Sequence, residues 1–337
     1  MKAFLVTSAA TGSVDDVTPP QPRSGQVVVG IDHVGICGTD VSLFAGDPAR
    51  LAQLDLSFPL RLGHEWDGRV IEVGEGVDPA WLGKRVTGDT MLGCGRCERC
   101  LDGRHHLCAE RFEIGVRGNW PGALAERLLV PVAALYELPD AVTAELGAMV
   151  EPGANAWRSV HTAGVHEGSR VLVLGTGTIG LLSALFARAE GAEVHVLGRD
   201  REALELARSL GVTGAWTQDA LPALTWDAVI DATNAASMPQ FAVDVVEPGG
   251  RVVLVGISGE PSLIDSRVVG RKDVTVVGIL GGSAGIQATI DAYASGRVDP
   301  LPLISRIIGL DEVAAALSGA RPMKSSGAPK VLVDLAR

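Results

Sequence analysis

The sequence is poor in what would tie it to a membrane, a nucleic acid or an oxidising compartment. Its uncharged run at 171–187 falls short of the roughly 20 residues of a spanning helix and is broken by Gly175, Gly177 and Gly180. The opening Met1-Lys2-Ala3-Phe4-Leu5-Val6 offers one cation and a short apolar run that soon meets Thr7, Ser8, Asp15 and Asp16. That is too little for a signal peptide, and the chain is expected to be soluble and cytoplasmic. Positive charge is also lacking: Lys+Arg 29 against Asp+Glu 40 leaves a net charge of −11, a field that repels phosphate backbones and anionic lipid. Neither nucleic acid nor membrane is an expected partner. Internal repeats and low-complexity tracts are missing, and the 42 glycines show no G-X-Y period. Cysteine is scarce and odd in number, five in all, with four crowded between 94 and 108, which suits a metal site better than a disulfide framework.

What remains is 337 residues, 47% hydrophobic and 20% charged, enough for roughly two globular domains. Up to about residue 150, short strands at 26–31, 69–73, 84–87 and 124–130 alternate with Gly, Pro and Asp, predicting a β-rich first domain. Asp140 is expected to cap a helix through Ala144, Leu146 and Met149. Glu151-Pro152-Gly153 is expected to interrupt it before a further helix at 154–161, placing a domain boundary after residue 152.

Beyond Gly168 the pattern becomes α/β. Strands at 170–174, 193–197, 227–230 and 251–255 alternate with helices at 179–188, 201–210 and 238–246. A strand at 273–277 and a helix at 284–294 would extend a doubly wound parallel sheet covered on both faces. The last segment, with strand-like 303–308 and 330–335 around a helix at 311–317, fits either domain by periodicity.

Between the first such strand and its helix lies Gly175-Thr176-Gly177-Thr178-Ile179-Gly180. In this G-x-G-x-x-G turn the first glycine permits the tight turn, the second leaves room for a pyrophosphate, and the third lets helix and strand pack closely. A plain βα turn could carry the same glycines, but the βαβ context points to a dinucleotide. The next strand ends at Gly198, where an acid would otherwise meet a ribose 2′-hydroxyl, and Arg199 beside it offers a planar cation for a 2′-phosphate. NADP is therefore expected, with NAD possible if Asp200 turns back to the ribose. The strand end at Gly256 and Ile257 is expected to face the nicotinamide.

Two clusters carry metal-ligand residues. Cys94, Cys97, Cys100 and Cys108 form C-x2-C-x2-C-x7-C, four thiolates able to close a tetrahedral structural Zn²⁺ site. An iron–sulfur cluster, a redox dithiol or a metal-free loop are the alternatives. Cys37, in Gly-Ile-Cys-Gly-Thr-Asp, and His64-Glu65, in Gly-His-Glu-Trp-Asp-Gly, make an incomplete set that leaves a position open, as catalytic zinc requires. By itself this set is equally compatible with a core cysteine and a surface His-Glu pair.

Together and in this order, these motifs and Val150-Glu151-Pro152 resemble the zinc-dependent medium-chain dehydrogenase/reductase family over essentially the whole chain. Glu65 and the Glu151-Pro152 pair look like its polyol, sugar and threonine dehydrogenase branch. The resemblance implies a GroES-like catalytic domain at 1–152, a Rossmann NADP-binding domain at 153–290 and a segment at 291–337 that returns to the first. It implies that Cys37 and His64 bind the catalytic zinc with Glu65 as third ligand, while Glu151 is either a ligand or the partner of a water there. Thr39 would take the substrate's proton. Ser42 stands where many relatives carry a histidine, which leaves the onward proton path open. The implied activity interconverts a secondary alcohol and its ketone by hydride transfer, with two zinc ions per chain and a homodimer or homotetramer. A non-catalytic NADPH-binding protein of the same fold is the alternative.

Overall fold

Runs of β-branched and aliphatic residues build the two sheets of the computed structural model, which describes residues 1–319 and 327–337. The chain divides at Glu151 into two units. The first holds Met1–Glu151, regains the chain at Arg306 and includes Lys330–Arg337; the second begins at Pro152 and extends to Ser305.

In the first unit Gln26–Ile36 is the long central strand, with Val27, Val28, Val29 and Val34 free of solvent. It pairs antiparallel with Glu65–Val73 on one side and Lys330–Asp334 on the other, and Arg127–Pro131 joins its first half. Arg85–Gly88 and Leu135–Glu137 continue the seven-stranded sheet past Glu65–Val73, and Ile304–Ile308 flanks Lys330–Asp334. Phe4, Val29, Leu43, Trp66, Leu128 and Val333 belong to its core. Fully burying one such side chain contributes about 1.5–3 kcal/mol.

In the second unit all strand pairings are parallel. The order is Gly214–Trp216, Glu193–Leu197, Arg170–Leu174, Trp226–Asp231, Val246–Leu254 and Thr275–Gly278. In chain order this reads 3-2-1-4-5-6, the doubly wound Rossmann arrangement, and Val171 to Leu174 are shielded from solvent as a strand covered on both faces must be.

Three sequence-based expectations are corrected. The helix Ala144–Ala148 is capped by Thr143, whose Oγ1 accepts from the Leu146 N–H at 3.3 Å, rather than by Asp140. Glu151-Pro152-Gly153 does not interrupt a helix but opens one, Val150–Thr162, because proline in the first turn lacks only an N–H that has no intrahelical partner. The first unit regains the chain at Arg306 rather than at 291. Up to that point Ile286–Ala294 buries Ile286, Ile290 and Tyr293 in the second unit, where the Tyr293 ring stacks with Phe186 at 6.2 Å.

Candidate metal centre and cofactor site

Antiparallel pairing brings three strand ends together. Gln26–Ile36 runs into Cys37, Glu65 directly after His64 begins the neighbouring strand opposite Gly35, and Lys330 begins the strand on the other side with Val331 opposite Ile36. The ligand atoms of Cys37, His64 and Glu65 all lie within 4.8 Å of one another. Gly35 is required here, because a Cβ at that position would overlap the Glu65 carboxylate.

Asp40 organises the group from beneath. It is fully buried three residues into the turn that starts the helix Gly38–Ala45. Its Oδ2 accepts from the Cys37 N–H at 2.9 Å and its Oδ1 from the Gly63 N–H at 3.1 Å, while His64 Nδ1 stands 3.4 Å from Oδ1. Burial raises the Asp40 pKa, but the imidazole and these N–H groups outweigh it and hold the carboxyl below its usual range. Burial pulls the His64 imidazole down, and Asp40 and the Cys37 sulfur more than reverse this.

Lys330 closes the set. Its Nζ donates to Glu65 Oε2 and to the Ile36 carbonyl at 3.0 Å, and both members of the Lys330–Glu65 pair are 1% exposed. Burial alone would favour the neutral amine, but Glu65 and then Cys37 keep it charged. Asp40 and Lys330 were not read from the sequence as site residues. The signal for the first was an acid three residues after Cys37 at a helix start; for the second, a lone cation opening the apolar run Val331-Leu332-Val333.

Glu151 lies in the first turn of Val150–Thr162 and is not among the donors gathered within 4.8 Å. Thr39 is half-buried in the first turn of Gly38–Ala45. Ser42 Oγ donates to the Thr39 carbonyl at 2.9 Å, so in the structure it braces the backbone there.

The donors fit zinc: sulfur, imidazole nitrogen and carboxylate oxygen converge in a shielded place, the soft-to-borderline mixture that Zn²⁺ prefers. The second cluster fits as well. Cys94, Cys97, Cys100 and Cys108 are free thiols whose sulfurs all lie within 4.8 Å of one another. The Cys97–Cys108 and Cys94–Cys100 separations are 3.8 and 4.0 Å, against the edge of about 3.8 Å that a tetrahedron with Zn–S near 2.3 Å demands. Backbone N–H groups of Arg96 and Cys97 pull the Cys94 thiol down to about 6, so a thiolate is available at neutral pH.

In the second unit Gly175 takes φ +104°, and Gly177 caps the helix Thr178–Ala189 with nothing within 4 Å of where its Cβ would be. The helix N-terminus, with Thr178 and Ile179, thus presents an open anion cradle. A Cβ on Gly180 would overlap the Gly175 carbonyl, and one on Gly256 that of Thr233. Gly198 follows Glu193–Leu197 and has no room for a side chain, since its Cβ would sit 2.5 Å from Thr176 Cγ2. Arg199 is exposed, as is Ile257. Asp200 caps Arg201–Ser209, with Oδ1 accepting from the Ala203 N–H at 3.1 Å.

Residues 23–140 match the family model described as the alcohol dehydrogenase GroES-like domain, and 178–295 the one described as zinc-binding dehydrogenase. An L-threonine 3-dehydrogenase of Rhizobium johnstonii is 31% identical over 349 aligned positions, covering 99% of this chain and 98% of that one. An alcohol dehydrogenase of E. coli CFT073, solved with NADH, superposes with a TM-score of 0.91 at 28% identity, covering 99% of each chain. A zinc-binding dehydrogenase of Sinorhizobium meliloti 1021, solved with NADP, gives 0.89 at 32% identity and the same 99% coverage of both chains. The chain belongs to the zinc-dependent medium-chain dehydrogenase superfamily. It is an enzyme of the alcohol dehydrogenase type, acting on a CH–OH group with zinc and a nicotinamide cofactor, and the non-catalytic alternative falls away.

Proposed function

We propose that the enzyme interconverts a secondary alcohol bearing a second polar group (a polyol, sugar, amino alcohol or aminocyclitol) and its ketone, preferring NADP and holding two zinc ions per chain. The observation that carries this is the convergence of Cys37, His64 and Glu65 within 4.8 Å. Zinc held there supplies a Lewis acid that lowers the pKa of the substrate hydroxyl, and the nicotinamide supplies the hydride acceptor. The chain's residues set the geometry. Cys37 and His64 serve as ligands; Lys330 holds one Glu65 oxygen, leaving the other for the metal. Asp40 sits beside the His64 ring, and the Thr39 hydroxyl relays the substrate proton, accepting it while giving its own onward toward solvent. The position of Glu151 outside the donor group supports a role as a proton partner rather than a resident ligand. Gly198, the exposed Arg199 and an Asp200 engaged in capping support NADP.

A panel of polyols and amino alcohols, assayed with NADP⁺ and with NAD⁺, tests this reading. His64→Ala should abolish turnover and lose one of two zinc atoms while NADPH still binds. Arg199→Ala should raise KM for NADP⁺ on the order of tenfold, the loss of one charge-assisted contact, with little change for NAD⁺. Full activity in the first variant overturns the metal assignment, and unchanged selectivity in the second overturns the coenzyme preference.

A further inference from the structure

The first unit has a second concave place, whose lining residues carry none of the roles assigned above. A cavity of about 200 Å³ opens between the N-terminal hairpin, whose strands Lys2–Ser8 and Thr11–Asp16 pair antiparallel, together with the residues just after it, and the segments at 56–61 and 115–121. Its walls are largely apolar, with Leu5, Val17, Leu56, Leu60, Trp120 and Pro121 among them. Arg61 lines it too. Among the described residues no acid pairs with Arg61, and its Nε, shielded from solvent, has no hydrogen-bond partner. Burial is the one influence on its guanidinium, drawing the pKa down to about 10. Two other polar groups of the lining are already engaged. Asn119 exchanges hydrogen bonds with the Ser57 N–H and Oγ at 3.0 and 2.8 Å, and Trp120 Nε1 donates to the Leu129 carbonyl at 3.3 Å.

Arg61 is half-buried, and a guanidinium whose Nε is shielded and which has no counter-charge is stabilised when an anion completes it. Its planar fork matches a carboxylate through two parallel hydrogen bonds, and the hydrocarbon walls would then take up the body of the same molecule. The volume lies below the roughly 300–1,000 Å³ of pockets for drug-sized ligands, which selects a small occupant. We propose that this cavity is a binding site for a small organic monocarboxylate, with Arg61 clasping the carboxylate and the Leu5, Val17, Leu56 and Trp120 side chains holding its apolar body. The proposal does not rest on the dehydrogenase reading.

Titration of the zinc-loaded protein with benzoate tests it, followed by calorimetry and by the Trp120 indole N–H resonance. Trp120 lines this cavity and is not one of the gathered metal donors. Saturable binding is expected at one benzoate per chain, with a Kd in the low millimolar range or tighter and a matching shift of Trp120. The neutral isostere benzamide should bind at least tenfold more weakly. Arg61→Leu, with zinc content and circular dichroism unchanged, should lose at least tenfold in affinity; Arg61→Lys, which keeps the charge but not the fork, should fall between. No saturable shift of Trp120, equal binding of benzamide, or full affinity in Arg61→Leu overturns the site. Inorganic phosphate binding as well as benzoate would overturn the organic-carboxylate assignment. The contrast between benzoate and benzamide needs no variant, so the proposal stays falsifiable if Arg61→Leu fails to fold.

Discussion

Asp231 shows how single residues trade stability for position. It ends Trp226–Asp231 with 3% exposure, and its Oδ1 accepts from the Thr233 N–H and Oγ1–H at 2.9 and 2.7 Å. It thereby holds the turn whose Thr233 carbonyl packs against Gly256. Burial raises its pKa despite these hydrogen bonds. For an acid with a raised folded-state pKa, the stabilising contribution is full below the unfolded value and is lost as pH rises through the folded one. Asp231→Asn keeps an acceptor for Thr233 and removes the buried charge. It should therefore unfold at higher urea than the parent at pH 8, by up to about 1 kcal/mol, with the gap closing toward pH 4. A less stable variant at pH 8 would show that the carboxylate earns more from Thr233 than burial costs. At this scale the sequence reads well where chemistry is distinctive. The four lobe cysteines could be picked out because few jobs suit four thiolates at such spacing, whereas Cys37, His64 and Glu65 stood out only through the order of motifs that carries the family resemblance. Asp40 could not, since an acid at a helix start is ordinarily a cap, and here it is a cap and a brace for His64 together.

Among the elements, the cysteine lobe has little regular structure of its own. Between Met91–Leu92 and Phe112–Glu113 it holds only the short turns Glu98–Leu101 and His105–Leu107. Sulfur approach replaces a core: Gly93 leaves room for Cys100, and His105 ties the lobe to Asp89 at 2.6 Å. Cys97→Ser should cost one zinc per chain and lower Tm by roughly 5–10 °C while sparing NADPH binding. Metal analysis and a melting curve check this, and an unchanged Tm would contradict it. The parallel sheet was legible because its strands are uninterrupted apolar runs with helical periods between them. The start of Val150–Thr162 was not, because Pro-Gly reads as a break until the tertiary context is known. That context includes Tyr293, whose ring leaves no space for a Cβ on Gly153. The strand Gly214–Trp216 was missed because three residues carry no period.

At the scale of the whole molecule, the metal group depends on a contact across 265 positions, from Lys330 to Glu65. No local pattern announces such a pair, which is why the sequence placed the last strand only through family resemblance. Removing one partner of a buried pair leaves an uncompensated charge, at about 3–5 kcal/mol. Lys330→Met should therefore destabilise the zinc-free protein by about that much, and the zinc-loaded protein by less, because with the proposed ligand set the metal would share the Glu65 charge. Equal destabilisation with and without zinc, in denaturant titrations, would separate Lys330 from the metal group. The arrangement also constrains how the protein is made. The ribosome delivers Cys37, His64 and Glu65 early, yet their buried cation arrives only after the entire nucleotide-binding unit has been translated, a delay of roughly 13–53 s at roughly 5–20 residues per second. Throughout that interval the nascent thiol, imidazole and carboxylate lack both their covering strand and its ammonium group, so on the proposed ligand set productive metal capture would belong to the finished polypeptide and not to the growing one.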